Sequence, residues 1–227
     1  MSSPAVFLDK DGTLIENVPY NIDPALIRLA DGALQSLDLL QQAGYQVIVV
    51  SNQSGVARGY FGERDLIPVE SRLRQQLAEG SVALSGFYYC PHHPEGALQL
   101  YSRECVCRKP KPGMLFEAAR HHRINLSTSW LIGDILDDIE SGNRAGCRTI
   151  LLDNDHETEW RITPLRRPDF IVQNLLAAAD VILLTEKSAL ANAQPPSSVA
   201  SHPSAAQPPG TAASHPYGTL ADGEHER

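Results

Sequence analysis

The chain has no run approaching the roughly 18 apolar residues needed to span a bilayer. Its opening residues, MSSPAVFLDKDG, lack both the basic and the apolar stretch of a secretory signal. The expectation is therefore a cytoplasmic protein that neither crosses a membrane nor binds one. Basic excess is missing too: 19 Lys and Arg stand against 27 Asp and Glu, a formal charge of −8. That disfavours general nucleic-acid binding, which needs a concentrated basic face. Cysteine is scarce, with four in 227 residues, too few for a secreted disulfide scaffold. Three of them, Cys90, Cys105 and Cys107, crowd one short segment while Cys147 stands alone, so metal ligation is the better reading. Composition excludes a coiled coil, a collagen and a fully disordered chain. With 42% hydrophobic and 20% charged residues, one globular domain with room for a tail is expected.

The tail is expected from a change in composition near Ser188. Residues 188–227 are mostly Ala, Ser and Pro with no apolar period, and such a segment cannot bury enough surface to offset its ordering entropy. Residues 1–187 then form the domain. Within it, short apolar runs alternate with helical stripes. Strands are expected at 5–8, 46–50, 87–89, 130–132, 149–152 and 170–172, with helices near 34–40, 63–79, 114–122, 135–145 and 175–184. Pro68 is expected to kink or restart the second helix. This alternation predicts an α/β fold, a doubly wound and mainly parallel sheet, in which ligands sit at the carboxyl ends of strands.

The polar residues at those ends are Asp9 and Asp11, then Ser51 and Asn52, then Asp134. Lys109 joins them from the loop RKPKPG. Three converging acids repel one another unless a hard divalent cation sits among them, and Mg²⁺ suits one or two carboxylates plus phosphate oxygens. One carboxylate can then attack phosphorus, and the other can protonate the leaving alkoxide and later deprotonate water. Ser51 and Lys109 would hold the transferring phosphoryl oxygens.

Cys90-Pro91-His92 and Cys105-Val106-Cys107 form Cys-x-His and Cys-x-Cys arms. Residues i and i+2 of each arm can face one metal, and two arms close a tetrahedron of three sulfurs and one nitrogen, a Zn²⁺ set. Four protein ligands leave no open position, so the zinc would staple the loop and aim Arg108 and Lys109. His93 competes with His92 for the nitrogen. Cys147 is expected as a small buried hydrophobe, and His121, His122 and His156 as surface residues.

The segments FLDKDGT, VVSNQ, RKPKPG and IGD followed by Asp138 resemble the four motifs of the haloacid dehalogenase-like (HAD) phosphatase superfamily over residues 5–185. The resemblance implies a HAD-like, Rossmannoid fold without a large cap domain, with Asp9 as nucleophile and Asp11 as acid/base. It also implies Mg²⁺ on the Asp9 carboxylate, the Asp11 main-chain carbonyl and Asp134, with Asp138 orienting. NVPYN, SNQSGVARGYF, YYCPHHPEG and CVCRKPKPGML further resemble the D-glycero-D-manno-heptose-1,7-bisphosphate 7-phosphatases. Those enzymes serve the synthesis of nucleotide-activated heptose for lipopolysaccharide and other glycans, and carry a zinc loop. That resemblance implies a substrate site of Asn17, Val18, Pro19, Tyr20, Ser51, Asn52, Gln53, Ser54, Arg108 and Lys109, with the Arg108 fork gripping the second phosphate.

Two positions depart from the family pattern. Ile135 stands where a Lys is frequent, which removes a substrate contact, and Lys10 stands where Arg is common. The chain is expected to act as a monomer on a small sugar bisphosphate. A histidinol-phosphate phosphatase is the neighbouring alternative, and a non-catalytic zinc-stabilised binding module the alternative from another class.

Overall fold

The computed structural model describes residues 2–193. Six strands form one sheet: β1 (Ala5–Leu8), β2 (Gln46–Asn52), β3 (Leu84–Cys90), β4 (Trp130–Gly133), β5 (Arg148–Leu152) and β6 (Phe170–Val172), in the order β3-β2-β1-β4-β5-β6. Every pairing is parallel. Parallel neighbours need crossovers, supplied by α1 (Ala33–Gln42), a single turn α2 (Gly55–Arg58) with α3 (Leu66–Glu79), α4 (Gly113–His122), α5 (Leu136–Ala145) and, between β5 and β6, a loop with a 3₁₀ turn at Pro164–Arg166; α6 (Leu175–Ala193) follows the last strand.

Both sheet faces are covered, which explains why β1 is the unbroken apolar run AVFL, buried throughout. Its side chains alternate. Val6 and Leu8 join Val47, Val49, Trp130 and Ile132 in a core sealed by Leu37 and Leu40 of α1, Val69, Leu73 and Leu77 of α3, and Ile182 of α6. Ala5 and Phe7 turn the other way, with Ile48, Val50 and Leu131, against Met114, Leu115 and Ala118 of α4.

Of the two effects expected of Pro68 over 63–79, the structure has the restart: a 3₁₀ turn gives way to an α-helix that begins at Leu66. Pro68 falls in the first turn of α3, where its missing N–H would have no partner anyway, and the 3₁₀ turn at Glu63–Asp65 supplies the start. The last helix runs past the boundary expected after residue 187, to Ala193. The remainder of the expected tail, 194–227, lies outside the described residues. Among the described residues no helix is long and apolar enough to cross a membrane, and the excursion from β1 to α1 holds one 3₁₀ turn, Pro24–Leu26, and no further domain.

The order places β1 between β2 and β4, whose chains continue to opposite sides. This reversal opens a crevice at the carboxyl ends of β1, β2 and β4.

Candidate active site and cysteine cluster

A cavity of about 230 Å³ fills that crevice, lined by Asp9, Asp11, Asn17, Ser51, Asn52, Lys109, Asp134, Ile135 and His156. The β1 ladder persists one residue past its end, because the Asp9 N–H donates to the Ile132 carbonyl at 3.0 Å. Asp9 is thereby fixed beside the end of β4. Beyond it the chain curls: Leu14 and Ile15 both donate to the Lys10 carbonyl, and Gly12 adopts φ +87°. A side chain at Gly12 would collide with Asp134, its Cβ falling 2.2 Å from Oδ2, so only glycine lets the turn pass this close.

That curl revises the expected trio of Asp9, Asp11 and Asp134 side chains. The three carboxylates with oxygens within 4.8 Å of one another are Asp9, Asp134 and Asp138. Asp11 turns aside, its oxygens accepting from Lys10 Nζ at 2.6 Å and Gln53 Nε2 at 3.1 Å. The same Gln53 amide donates to Ser51 Oγ at 2.8 Å, which leaves the Ser51 proton free to donate elsewhere.

Lys109 is buried and its ammonium pairs with Asp9, with Asp138 Oδ1 at 2.5 Å and with the Val50 carbonyl at 3.0 Å. Asn52 clamps the Lys109 backbone by its side-chain amide, donating to the carbonyl at 3.2 Å and accepting from the N–H at 3.1 Å. Burial alone would push the Lys109 pKa down, but the charges of Asp138 and Asp9 outweigh it and hold it above the usual lysine range. One cation does not balance three acids. Burial, with the neighbouring Asp9 charge, raises Asp134 to about 7, and burial raises Asp138 to about 8 despite Lys109. This oxygen-rich, charge-deficient donor set fits a hard divalent cation. Burial also raises Asp11, against the pull of Lys10 and with a contribution from Asp9.

A second cavity of about 280 Å³ shares Asp11, Asn17 and Asn52, and adds Pro19, Tyr20, Gln53, Ser54 and Gly55. Tyr20 meets Tyr60 edge-on at its rim, centroids 4.8 Å apart. Val18 and Arg108 line neither cavity. Arg108 is half-buried on the cysteine side, with its N–H 3.3 Å from Cys105 Sγ and its guanidinium 3.5 Å from the His92 carbonyl. Ile135 stands in the cavity wall as an apolar surface.

Cys90, His92, Cys105 and Cys107 offer donor atoms within 4.8 Å of one another. Cys90 Sγ lies 3.5 Å from Cys105 Sγ and 3.2 Å from Cys107 Sγ, and Cys105 and Cys107 are 3.4 Å apart. His92 Nδ1 is 3.7 Å from Cys90 and 3.4 Å from Cys107. A tetrahedral zinc with sulfurs at about 2.3 Å has edges of about 3.8 Å, so the four donors need only a slight expansion. His93 is excluded, its ring facing Arg58 and the Glu95 N–H. Cys147 is buried in the apolar core beside Ala145.

His156 was expected at the surface. The structure places it in the cavity wall, with Nδ1 2.7 Å from Asp134 Oδ2. No local spacing marks it, because the loop after β5 brings it back across the site.

A family model described as HAD-hydrolase-like matches residues 106–178. Two relatives named D-glycero-beta-D-manno-heptose-1,7-bisphosphate 7-phosphatase are similar over most of their length. That of Photorhabdus laumondii is 40% identical over 149 residues, 66% of this chain and 79% of its own. That of Escherichia coli K12 is 38% identical over 151 residues, with the same two shares. Among solved structures, a HAD-like phosphatase from Mesorhizobium loti has a TM-score of 0.69 and 35% identity, covering 80% of this chain and 88% of that one. The D,D-heptose 1,7-bisphosphate phosphatase of B. bronchiseptica, complexed with magnesium and phosphate, has a TM-score of 0.66 and 28% identity, covering 80% and 99%.

Proposed function

Since the chain belongs to the D-glycero-D-manno-heptose-1,7-bisphosphate 7-phosphatase family of HAD-like hydrolases, we propose that it hydrolyses the C7 phosphate of heptose 1,7-bisphosphate. The observation that carries this reading is the convergence of Asp9, Asp11, Ser51, Lys109 and Asp134 on one cavity at the strand ends. Asp9 attacks phosphorus as the bond from phosphorus to the C7 oxygen breaks, forming an aspartyl phosphate. Asp11, whose raised pKa favours the protonated form, gives its proton to the departing oxygen. It then takes a proton from the water that attacks phosphorus, and this second displacement frees Asp9 and inorganic phosphate. Lys109 and the Ser51 hydroxyl hold the phosphoryl oxygens, and Asn52 holds the backbone that aims Lys109.

The Asp9 carboxylate, the Asp11 main-chain carbonyl and Asp134 would hold Mg²⁺, which would supply the positive charge that this acidic set and the phosphate oxygens need. The fit is supported by the raised Asp134 and Asp138, which share the Lys109 ammonium with Asp9. Proton and metal then compete for Asp134. Its ionised form binds metal, so below about pH 7 the apparent Mg²⁺ affinity should fall about tenfold per unit. Calorimetric Mg²⁺ titrations across that range check this, and an affinity independent of pH would contradict it. Zn²⁺ would occupy the closed Cys90, His92, Cys105, Cys107 set with a structural role.

Apart from Asp11, which it shares with the first, the second cavity has amide, hydroxyl and aromatic walls and no Lys or Arg, which suits the uncharged, hydroxyl-rich body of a sugar. Arg108, one residue before Lys109 but outside both cavities, would serve the distal phosphate by swinging its guanidinium away from the His92 carbonyl. One observation favours a histidinol-phosphate phosphatase instead: a third cavity, of about 220 Å³, adjoins the site through Ile135 and His156 and is walled by Asp137, Glu157 and Glu159 as well as Arg166. Such acids would welcome an amine. Steady-state rates on heptose 1,7-bisphosphate, fructose 1,6-bisphosphate and histidinol phosphate separate the readings. The highest kcat/KM is expected on the heptose, and a higher value on histidinol phosphate would replace this assignment.

A further inference from the structure

The segment 153–157, which leaves β5 at its carboxyl end, touches three parts of the site. Its start is fastened by the Asp153 N–H to the Val172 carbonyl at 2.8 Å. Asn154 Nδ2 donates to the Gly12 carbonyl at 2.7 Å, His156 Nδ1 lies 2.7 Å from Asp134 Oδ2, and Glu157 Oε2 accepts from the Leu136 N–H, the first of α5, at 2.5 Å. The far end of the loop is docked on α5, where Asn143 donates to the carbonyls of Leu165 and Arg167 at 2.9 and 3.0 Å. A strap held at both ends thus presents one imidazole to a buried carboxylate.

A carboxylate has about four lone-pair positions. Thr13 Oγ1 takes one on Oδ1 of Asp134, at 3.1 Å, and His156 takes one on Oδ2, so each oxygen keeps a lone pair for a cation. An ionised Asp134 can only accept, so Nδ1 is the donor. Two donors on opposite oxygens fix the plane of the carboxylate, and Gly12 packs against the same pair, since a Cβ there would lie 2.6 Å from His156 Nδ1. Hydrogen bonds of this kind orient ligating carboxylates, and their loss costs about 10–100-fold in metal affinity or activity.

We infer that His156 is a positioning residue for magnesium, holding Asp134 in its metal-binding orientation from the strap after β5. The inference rests on the magnesium reading of the site given above. The test is Mg²⁺ binding by calorimetry in the absence of substrate, on the full-length wild type and on His156→Phe, His156→Ala and His156→Asn, with circular dichroism to confirm folding. The Phe and Ala variants should bind Mg²⁺ about 10–100-fold more weakly. The Asn variant, whose amide nitrogen is as far from the backbone as Nδ1, should recover most of the affinity. Wild-type affinity in both Phe and Ala variants would overturn the role of His156. A wild type that binds no Mg²⁺ and turns over without it would overturn the magnesium reading, and this inference with it.

Discussion

Asp9→Asn should abolish phosphate release while leaving the fold intact. The amide keeps the shape of the carboxylate but cannot form the acyl phosphate, and knocking out a nucleophile commonly costs roughly 10⁴–10⁶ in kcat. The fold should survive because of what surrounds Lys109. Removing one partner of a buried pair costs about 3–5 kcal/mol when the other charge is left alone, but Lys109 keeps Asp138 at 2.5 Å and the Val50 carbonyl at 3.0 Å. One carboxylate fewer also relieves Asp134 and Asp138, both raised in part by the Asp9 charge. Phosphate release and thermal unfolding, measured on the same preparation, check both halves. Retained turnover would remove Asp9 as nucleophile, and a collapsed melting transition would mean that its pairing with Lys109 holds the site together.

Loss of the zinc set has the second largest expected effect. The segment from Pro91 to Pro112 has little apolar material of its own, with Leu98, Leu100 and Val106 exposed. Besides the buried pairs of Lys109 itself with Asp9 and Asp138, its other anchors are hydrogen bonds such as the Tyr101 hydroxyl to Glu63 at 2.7 Å, the Leu98 N–H to the Ala57 carbonyl at 2.9 Å and the Asn52 clamp on Lys109. Each such hydrogen bond contributes on the order of 1 kcal/mol net, whereas a structural zinc supplies about 10–16 kcal/mol of apparent folding free energy. Zinc held by this set would therefore be the largest single contribution to the order of the loop, and Lys109 lies two residues after Cys107. Wild type should hold about one equivalent of zinc per chain. Cys107→Ser should lose it and fall at least about 100-fold in kcat/KM, the cost of misplacing a group that stabilises the transition state. Far-UV circular dichroism should change little, because the helices and strands lie outside the loop, which meets the second core only through Cys90, Cys105 and Cys107. Full activity in metal-free protein would show that Asn52 and the pairs of Lys109 with Asp9 and Asp138 suffice to place it.

These contrasts also show why some of the site was legible in the sequence. Asp9, Ser51 and Asp134 sit where apolar runs end, and in a parallel sheet those ends converge whatever the details of packing. Cys90, His92, Cys105 and Cys107 are legible because metal geometry constrains spacing within each arm. Asp11 was harder. It is two residues from Asp9, but the strand stops at Leu8 and the chain curls at Gly12, so the side chain turns to Lys10 and Gln53. Asp138 takes its place among the acids because a helix begins just after Asp134 and brings its first turn inward. His156 carries no local signal, since its position depends on a loop that crosses back over Gly12. Pro68 shows the same limit in a helix: its effect depends on whether it falls in the first turn or the interior.

The central claim, a phosphatase that removes one chosen phosphate of a sugar bisphosphate, is tested most directly by following heptose 1,7-bisphosphate with ³¹P NMR. The C7 resonance should disappear as inorganic phosphate grows, while the C1 resonance persists in the product. Loss of the C1 phosphate, or a substrate left intact with Mg²⁺ present, would contradict it.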